Sequence, residues 1–395
     1  MSQTRLALVL GILTAVGPLS IDMYLPAFPA IGAEFGGAGT AETTLAAFFV
    51  GLAVGQLTQG PLADRFGRRR PLLAGGVVYV FASVGCALAP GARSFSLFRA
   101  LAAFGGSAGM VIPRAIVRDV AEGAAAARLM SRLILVMGAA PILAPSLGGL
   151  VLRVADWRAI FWVLAAYGVA CLALTRFALT ETLPPERRVR RNLLGIAGAY
   201  RAAAADRTFL APALASAAGV GALFAYIAGS PTTFMGVHGL SAATYAVLFG
   251  ANAACYVGAA QLNAWLLKRH PPSLLLAIAA TVLGASSLVL AFTAFTGTGG
   301  VVGLVVPLAL ATGALGVVVP NASALALARQ AARAGTASAL MGTLAFALGG
   351  VAAAGVSLLA DGTARPMAAL ILLGGIGALV AERWRRRTLP PRSMG

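Results

Sequence analysis

Asp22 is a carboxyl group placed where hydrocarbon is expected. It stands in the apolar tract 6–29, between Pro18 and Pro26. Of the twelve Asp and Glu in the chain, it alone falls well inside a predicted membrane span. Burying an ionised carboxylate at that depth costs about 2.5–3.5 kcal/mol on insertion scales. Protonation removes most of that cost, so Asp22 reads as a proton site that switches with access to water. The alternative is a structural aspartate bonded to a neighbouring helix. Pro18, Pro26 and Pro29 interrupt the helix and free carbonyls that only a protein-lined or wet cavity tolerates. On helical spacing Pro18, Asp22, Pro26 and Pro29 share one face. Arg99 is the only basic residue within the outer half of a span. Either it points inward, to pair with Asp22 or to hold a cavity positive, or it snorkels outward near Arg93. Tyr24, Tyr226, Ser230, Asn252, Tyr256 and Asn321 are the candidate substrate contacts, with Phe249 on the face of Asn252 and Tyr256. An aromatic and amide surface without charge suits an amphipathic, partly aromatic ligand. Singly, each residue also fits ordinary helix packing.

The elements that hold these groups are membrane helices. Of 395 residues, 59% are apolar and 11% charged, with mean hydropathy +0.88. Soluble domains carry about 25% charged residues. Twelve tracts have the roughly 20 residues a span requires: 6–29, 43–62, 72–90, 95–117, 128–152, 158–178, 208–230, 244–267, 273–296, 301–325, 336–359 and 366–383. Between the second and third lies Gly60–Pro71, four arginines with an aspartate and two glycines, expected as a tight water-side turn. The net charge of +18 sits in short loops rather than on a continuous basic face, so nucleic acid is no partner. Arg93, Arg153, Arg158 and Arg365 fall on the far side. Apart from Arg99, every other Lys and Arg lies on the side of the Arg65–Arg70 turn. This bias puts that turn and both termini in the cytoplasm. The first apolar run is too long for a cleavable signal.

Chemistry of other kinds finds no support. Cys86, Cys171 and Cys255 form no CxxC pattern and read as small core residues. His238 and His270 fall on opposite faces. No metal, no cofactor and no catalytic cluster is called for, which argues against a multispan membrane enzyme. The basic, Pro-containing segment 181–207 divides the chain into an N-terminal six-helix half, 1–180, and a C-terminal half, 208–395, that ends in a basic tail. Residues 192–205 read as a helix on the membrane surface, and the tail as disordered beyond Pro390. Arg68-Arg69-Arg70-Pro71 is echoed by Lys268-Arg269-His270-Pro271, a weak internal repeat. Duplicated halves of this kind place a substrate site between them near mid-membrane.

The spacing Gly60-x-Leu62-Ala63-Asp64-Arg65-x-Gly67-Arg68-Arg69 resembles the loop signature of the major facilitator superfamily. IDMYLPAFPAI (21–31), RAIVRD (114–119), FAYIAGSPTTFMGVHGLS (224–241) and PNASALALARQAARAGTASALMGTLAFALGG (320–350) look like its Bcr/CflA group of drug:proton antiporters. The resemblance covers nearly the whole chain. It implies an all-α membrane protein of twelve transmembrane helices in two pseudo-symmetric six-helix bundles. It implies a monomer in the bacterial inner membrane working by alternating access. The cargo would be antibiotics such as bicyclomycin, chloramphenicol or florfenicol, or small metabolites, exchanged for protons. By this resemblance Asp22 matches the membrane-embedded acid and Arg99 the arginine of the fourth span. Gly60, Asp64, Arg65, Gly67 and Arg68 match a cytoplasmic gate motif, in which Asp64 meets the start of the eleventh span. Gly138, Pro141, Pro145, Gly148 and Gly149 match the antiporter motif of the fifth. Two departures stand out. Ala102 replaces a glutamine that follows Arg99 in the group, and Ala144 replaces a glycine before Pro145. A proton-coupled exporter or symporter of a sugar or amino acid, and a non-transporting receptor of the same fold, are the remaining readings.

Overall fold

A backbone in hydrocarbon must satisfy its own hydrogen bonds, so apolar tracts of about 20 residues become helices. The computed structural model describes residues 3–37, 39–121, 123–188, 193–328, 330 and 334–388, and its regular elements are helical throughout. In chain order they are α1 (Gln3–Asp22), a 3-10 turn (Leu25–Ala27), α2 (Phe28–Phe35), α3 (Thr40–Phe66), α4 (Arg69–Ala87), α5 (Ala92–Val120), α6 (Gly123–Val151) and α7 (Arg158–Phe177). After a short 3-10 turn (Pro185–Arg187) come α8 (Leu193–Ala205), α9 (Arg207–Pro231), a π turn (Thr232–Val237), α10 (Ala242–Leu266), α11 (Pro272–Thr296), α12 (Gly300–Leu327), α13 (Ala334–Leu358) and α14 (Arg365–Thr388). Among the described residues, 12 stretches are long and apolar enough to cross a membrane. They answer the predicted spans one for one, with ends displaced by a few residues.

Two compact units are present: residues 1–192 with 239–250, and residues 193–238 with 251–395. Within the first, α1 packs on α5 and α6, and α4 packs on α5 and α7. Within the second, α9 packs on α12 and α13, and α11 packs on α12 and α14. The same pairing thus recurs in each unit, the pseudo-symmetry of a duplicated architecture. Lipid tails are as apolar as leucine, so small residues rather than greasy ones bring such helices together. Gly75 of α4 shows this: a Cβ there would sit 2.7 Å from the Gly105 carbonyl oxygen of α5.

Several expected features take another form. Gly60–Pro71 is not one loop. Helix α3 runs through Pro61 to Phe66, and the turn is confined to Gly67 and Arg68. Gly67 makes it at φ 89°, where a side chain is disfavoured. Pro18 lies inside α1 without breaking it; the helix ends at Asp22. Pro26 and Pro29 therefore do not continue the face of Pro18 and Asp22. Pro141 and Pro145 lie within one continuous α6. A proline removes one backbone bond, and a packed membrane helix tolerates the freed carbonyl. The ERWRRR sequence belongs to α14. Glu382 is buried and binds Arg385 at 2.6 Å and Arg386 at 3.0 Å, partners one turn on, which carries the helix to Thr388. The tail beyond Pro390 lies outside the described residues. Cys86 and Cys171 are buried, but Cys255 is exposed and is no core residue. The expected helix 192–205 is α8, without Asn192, which lies outside the described residues; α8 packs on α9 and α13.

Candidate functional site

The site begins at the break after α1. Pro26 has no N–H to offer the Asp22 carbonyl, and Pro29 has none for Leu25, so the helical ladder stops here. The chain turns through Met23 and Tyr24, makes one 3-10 turn and resumes as α2. Helix α6 packs on this break. Its Gly148 lies so close to the Met23 carbonyl that a Cβ has no room. The neighbouring Gly149 meets nothing within 4 Å. Asp22 is 2% exposed, and its Oδ1 has no hydrogen-bond partner among the described residues.

Arg99, on α5, is 1% exposed and points into the first unit, so it does not snorkel. Its Cζ lies 4.1 Å from the ring centre of Tyr24, 4.2 Å from Phe48 and 5.7 Å from Phe161. The faces of aromatic rings are negative and attract a cation. Nη2 donates to the Ser20 carbonyl at 3.0 Å. The described ion pairs do not include Arg99 with Asp22. Tyr24 of the break and Arg99 of α5 thus meet, with Phe48 of α3 and Phe161 of α7 supplying the other aromatic walls. Sequence reasoning missed Phe48 and Phe161, since a cage drawn from several elements has no spacing to read. Around it, the Ser20 and Tyr79 hydroxyls share a hydrogen bond of 2.7 Å, and the Tyr24 hydroxyl lies 3.4 Å from Thr44 Oγ1.

At the opposite end of α3, Arg68 is the centre of a polar knot. Its Nη1 donates to Asp64 at 2.6 Å, while Nε and Nη2 donate to Asp119 at 2.7 and 3.2 Å. Glu181 accepts from the backbone N–H groups of Arg68, Arg69, Thr182 and Leu183. Burial works against the charge of Glu181, but these N–H groups outweigh it and hold the carboxyl below its usual range. Burial likewise opposes the Arg68 charge, and Asp119 and Asp64 outweigh it, so its guanidinium holds its proton more tightly than usual. Arg65 stays exposed, over the ring of Phe66. Asp119 and Glu181 carried no assigned role in the sequence reading. Both are acids flanking spans, and Asp119 closes the tract RAIVRD.

In the second unit Tyr226 and Ser230 lie buried on α9. Asn252 Oδ1 accepts from the Thr312 hydroxyl at 3.2 Å. Asn321 Nδ2 donates to Asn263 Oδ1 at 2.6 Å and to the Val317 carbonyl at 2.8 Å. Asn252 and Asn321 therefore join α10 to α12. Asn263 was missed, although it lies two turns on from Tyr256 along α10. Tyr256 presents its carbonyl to Gly316 of α12, where no Cβ fits. No group of three His, Cys, Asp or Glu able to hold a metal occurs among the described residues.

Residues 10–354 match the family model described as Major Facilitator Superfamily. The chain belongs to that superfamily. This facilitator is 35% identical to the MFS-type transporter YdgK of Bacillus subtilis (strain 168) over 382 residues, 95% of this chain and 93% of that one. It is 30% identical to the bicyclomycin resistance protein homolog of Haemophilus influenzae, over 91% of this chain and 90% of that protein. In fold it resembles the D-xylose-proton symporter, with a TM-score of 0.72 at 16% identity, over 98% of each chain. The protein is accordingly a multi-pass inner-membrane transporter of a small solute, not an enzyme.

Proposed function

We propose that this facilitator couples the passage of a small molecule to protons, with Asp22 as the coupling acid. The observation that carries this reading is the carboxyl group buried at a helix break inside a span. Such an acid is neutral when shut from water and ionised when open to it. In an alternating-access cycle it takes up a proton on one side and yields it on the other. Proton and substrate then exclude one another at the same group. A neutral solute exchanged for one proton draws on the membrane potential, about 2.3 kcal/mol per charge per 100 mV, and on the pH gradient. The halves 1–180 and 208–395, joined by 181–207, act as one monomer with both termini in the cytoplasm. Tyr24, Tyr226, Ser230, Asn252, Tyr256 and Asn321 remain the proposed solute contacts. Gly60, Asp64, Arg65, Gly67 and Arg68 are the proposed gate, and Gly138, Pro141, Pro145, Gly148 and Gly149 the proposed hinge of α6.

A metabolite such as a sugar or an amino acid satisfies this mechanism. Antibiotic export is the narrower reading. It is favoured by the name of the Haemophilus influenzae relative and by the Bcr/CflA-like tracts, IDMYLPAFPAI above all. One experiment addresses both. Vesicles holding the full chain are loaded with a pH-sensitive dye and offered bicyclomycin, chloramphenicol, sugars and amino acids in turn. The expected result is a pH change with one class, absent in Asp22→Asn. Proton-driven accumulation that survives in Asp22→Asn sinks the coupling role. A response to sugars or amino acids without response to either antibiotic sinks the drug reading alone.

A further inference from the structure

Helices α3 and α4 are joined by the short turn at Gly67 and Arg68, yet they pack on α5 far more than on each other. Small residues hold α4 on α5, where Gly75 and Gly105 leave no room for a Cβ. Two helices splayed over a third leave a groove between them. Its volume is about 320 Å³, at the lower end of the range for small-molecule sites. Leu62 and Phe66 of α3 form one wall, Ala74 and Val78 of α4 the other, and Phe104 of α5 lies between them. All three helices are membrane spans, and Phe66 and Ala74 are exposed, so the groove opens on the surface of the first unit. Deep within it, the amide of buried Gln59 already donates to the Phe104 carbonyl at 3.3 Å.

The end of the groove next to the turn is different. Of the four arginines there, two are committed elsewhere. Arg68 faces Asp64 and Asp119, and Arg69 donates to the Thr175 and Arg176 carbonyls of α7. Arg70 is exposed and lines the groove. Arg65 is exposed too, with its guanidinium 5.3 Å from the ring centre of Phe66 on the opposite wall. The described ion pairs include neither Arg65 nor Arg70. The groove thus carries two cations at one end and hydrocarbon along the rest. From Arg70 to Val78 it follows about 12 Å of helix. An apolar slot of that depth beside two guanidinium groups has the outline of a lipid, phosphate at the mouth and chain within.

We propose that this groove binds an anionic phospholipid, with the phosphate at Arg70 and Arg65 and one acyl chain against Leu62, Ala74, Val78 and Phe104. Guanidinium groups match phosphate oxygens two at a time. Basic pockets between membrane helices are places where anionic headgroups settle. The chain fills the space that α3 and α4 leave open, and the headgroup bridges the two sides of their turn. The site uses neither Asp22 nor any proposed solute contact, so it is independent of proton coupling.

Native mass spectrometry of the full chain in detergent reads the bound lipid directly. Phosphatidylglycerol is expected to occupy one high-affinity site, and phosphatidylethanolamine, with no net headgroup charge, to bind more weakly. Equal affinities overturn the anionic class. Arg70→Gln is expected to weaken phosphatidylglycerol binding about five-fold. Arg269→Gln, exposed between α10 and α11, is expected to leave it unchanged. Equal losses would reflect general surface charge and overturn the site. Ala74→Trp fills the groove and keeps both arginines, so the high-affinity lipid should be lost. Val77→Trp, on the exposed surface outside the groove, should retain it. Should Ala74→Trp not fold, Val78→Phe fills the same space. Binding that survives a filled groove overturns the proposal. Inorganic phosphate in excess should not displace the lipid; displacement would mark a free-anion site without the chain. A wild-type protein that takes up no phosphatidylglycerol leaves the groove to solute or protein, and overturns the proposal as well.

Discussion

Arg99 is a residue whose chemistry is decided by shape as well as charge. The planar guanidinium lies over the rings of Tyr24 and Phe48 and still donates to the Ser20 carbonyl. An ammonium is a compact point charge that cannot do both. Arg99→Lys is therefore expected to lower stability by about 1–3 kcal/mol, read as a fall in the thermal midpoint of the purified chain. A midpoint equal to wild type would mean that the rings do not hold the cation. Glu181 makes a second prediction, with pH as the variable. Its carboxyl is held below the ordinary value of 4.5 by four backbone N–H groups. The ionised form is favoured in the folded state, so its contribution is fully present above 4.5 and is lost as pH falls through the lower folded value. Glu181→Gln should be less stable than wild type at neutral pH, and the gap should close on acidification below that range. A gap that does not change with pH would assign the effect to packing. The acid in the first span was legible from hydropathy alone, because a carboxylate in an apolar tract stands out in any window. Glu42, also buried, was not. It lies just outside the tract 43–62, and only the start of α3 at Thr40 brings it into the helix.

At the scale of elements, two pairs of glycines separate close approach from mere smallness. Gly148 is pressed on the Met23 carbonyl, and Gly149 faces open space. Gly148→Ala is expected to cost about 1–3 kcal/mol through overpacking and to reduce transport, whereas Gly149→Ala leaves both near wild type. Equal effects would show that α6 does not set the break of α1. In the α3–α4 turn, Gly67 has φ 89° and Glu181 beside it, and Gly67→Ala is expected to destabilise. Gly60 lies in the helix with open space, so Gly60→Ala is expected to be neutral or to stabilise by about 0.5–1 kcal/mol. Thermal midpoints of the four variants check both pairs. The number and order of spans were legible, because each is a long tract bounded by glycine, proline or charge. Their ends were less so. The motif glycines at 60 and 67 look alike in sequence, yet one continues a helix and the other ends it. Pro18 was read too strongly: it sits within α1, since other contacts hold the backbone on either side.

Across the whole molecule, the arginine distribution predicts orientation. The Arg65–Arg70 turn, the segment 187–207 and the basic end of α14 are rich in arginine, while the far side holds few cations. Green fluorescent protein fused at either terminus should fluoresce, and alkaline phosphatase fused there should stay inactive. An active phosphatase fusion at the C-terminus would reverse the assignment. The recurrence of helix pairings in the two units was anticipated only by a four-residue echo, because duplicated halves keep their packing long after their side chains diverge. One further property follows from the placement of the three thiols. Two are enclosed and Cys255 is open at the surface of α10, so an alkylating fluorophore should attach once to the detergent-solubilised protein, at a residue already present. Fluorescence reporting from the second unit then requires no mutagenesis, and loss of the label in Cys255→Ser verifies its address.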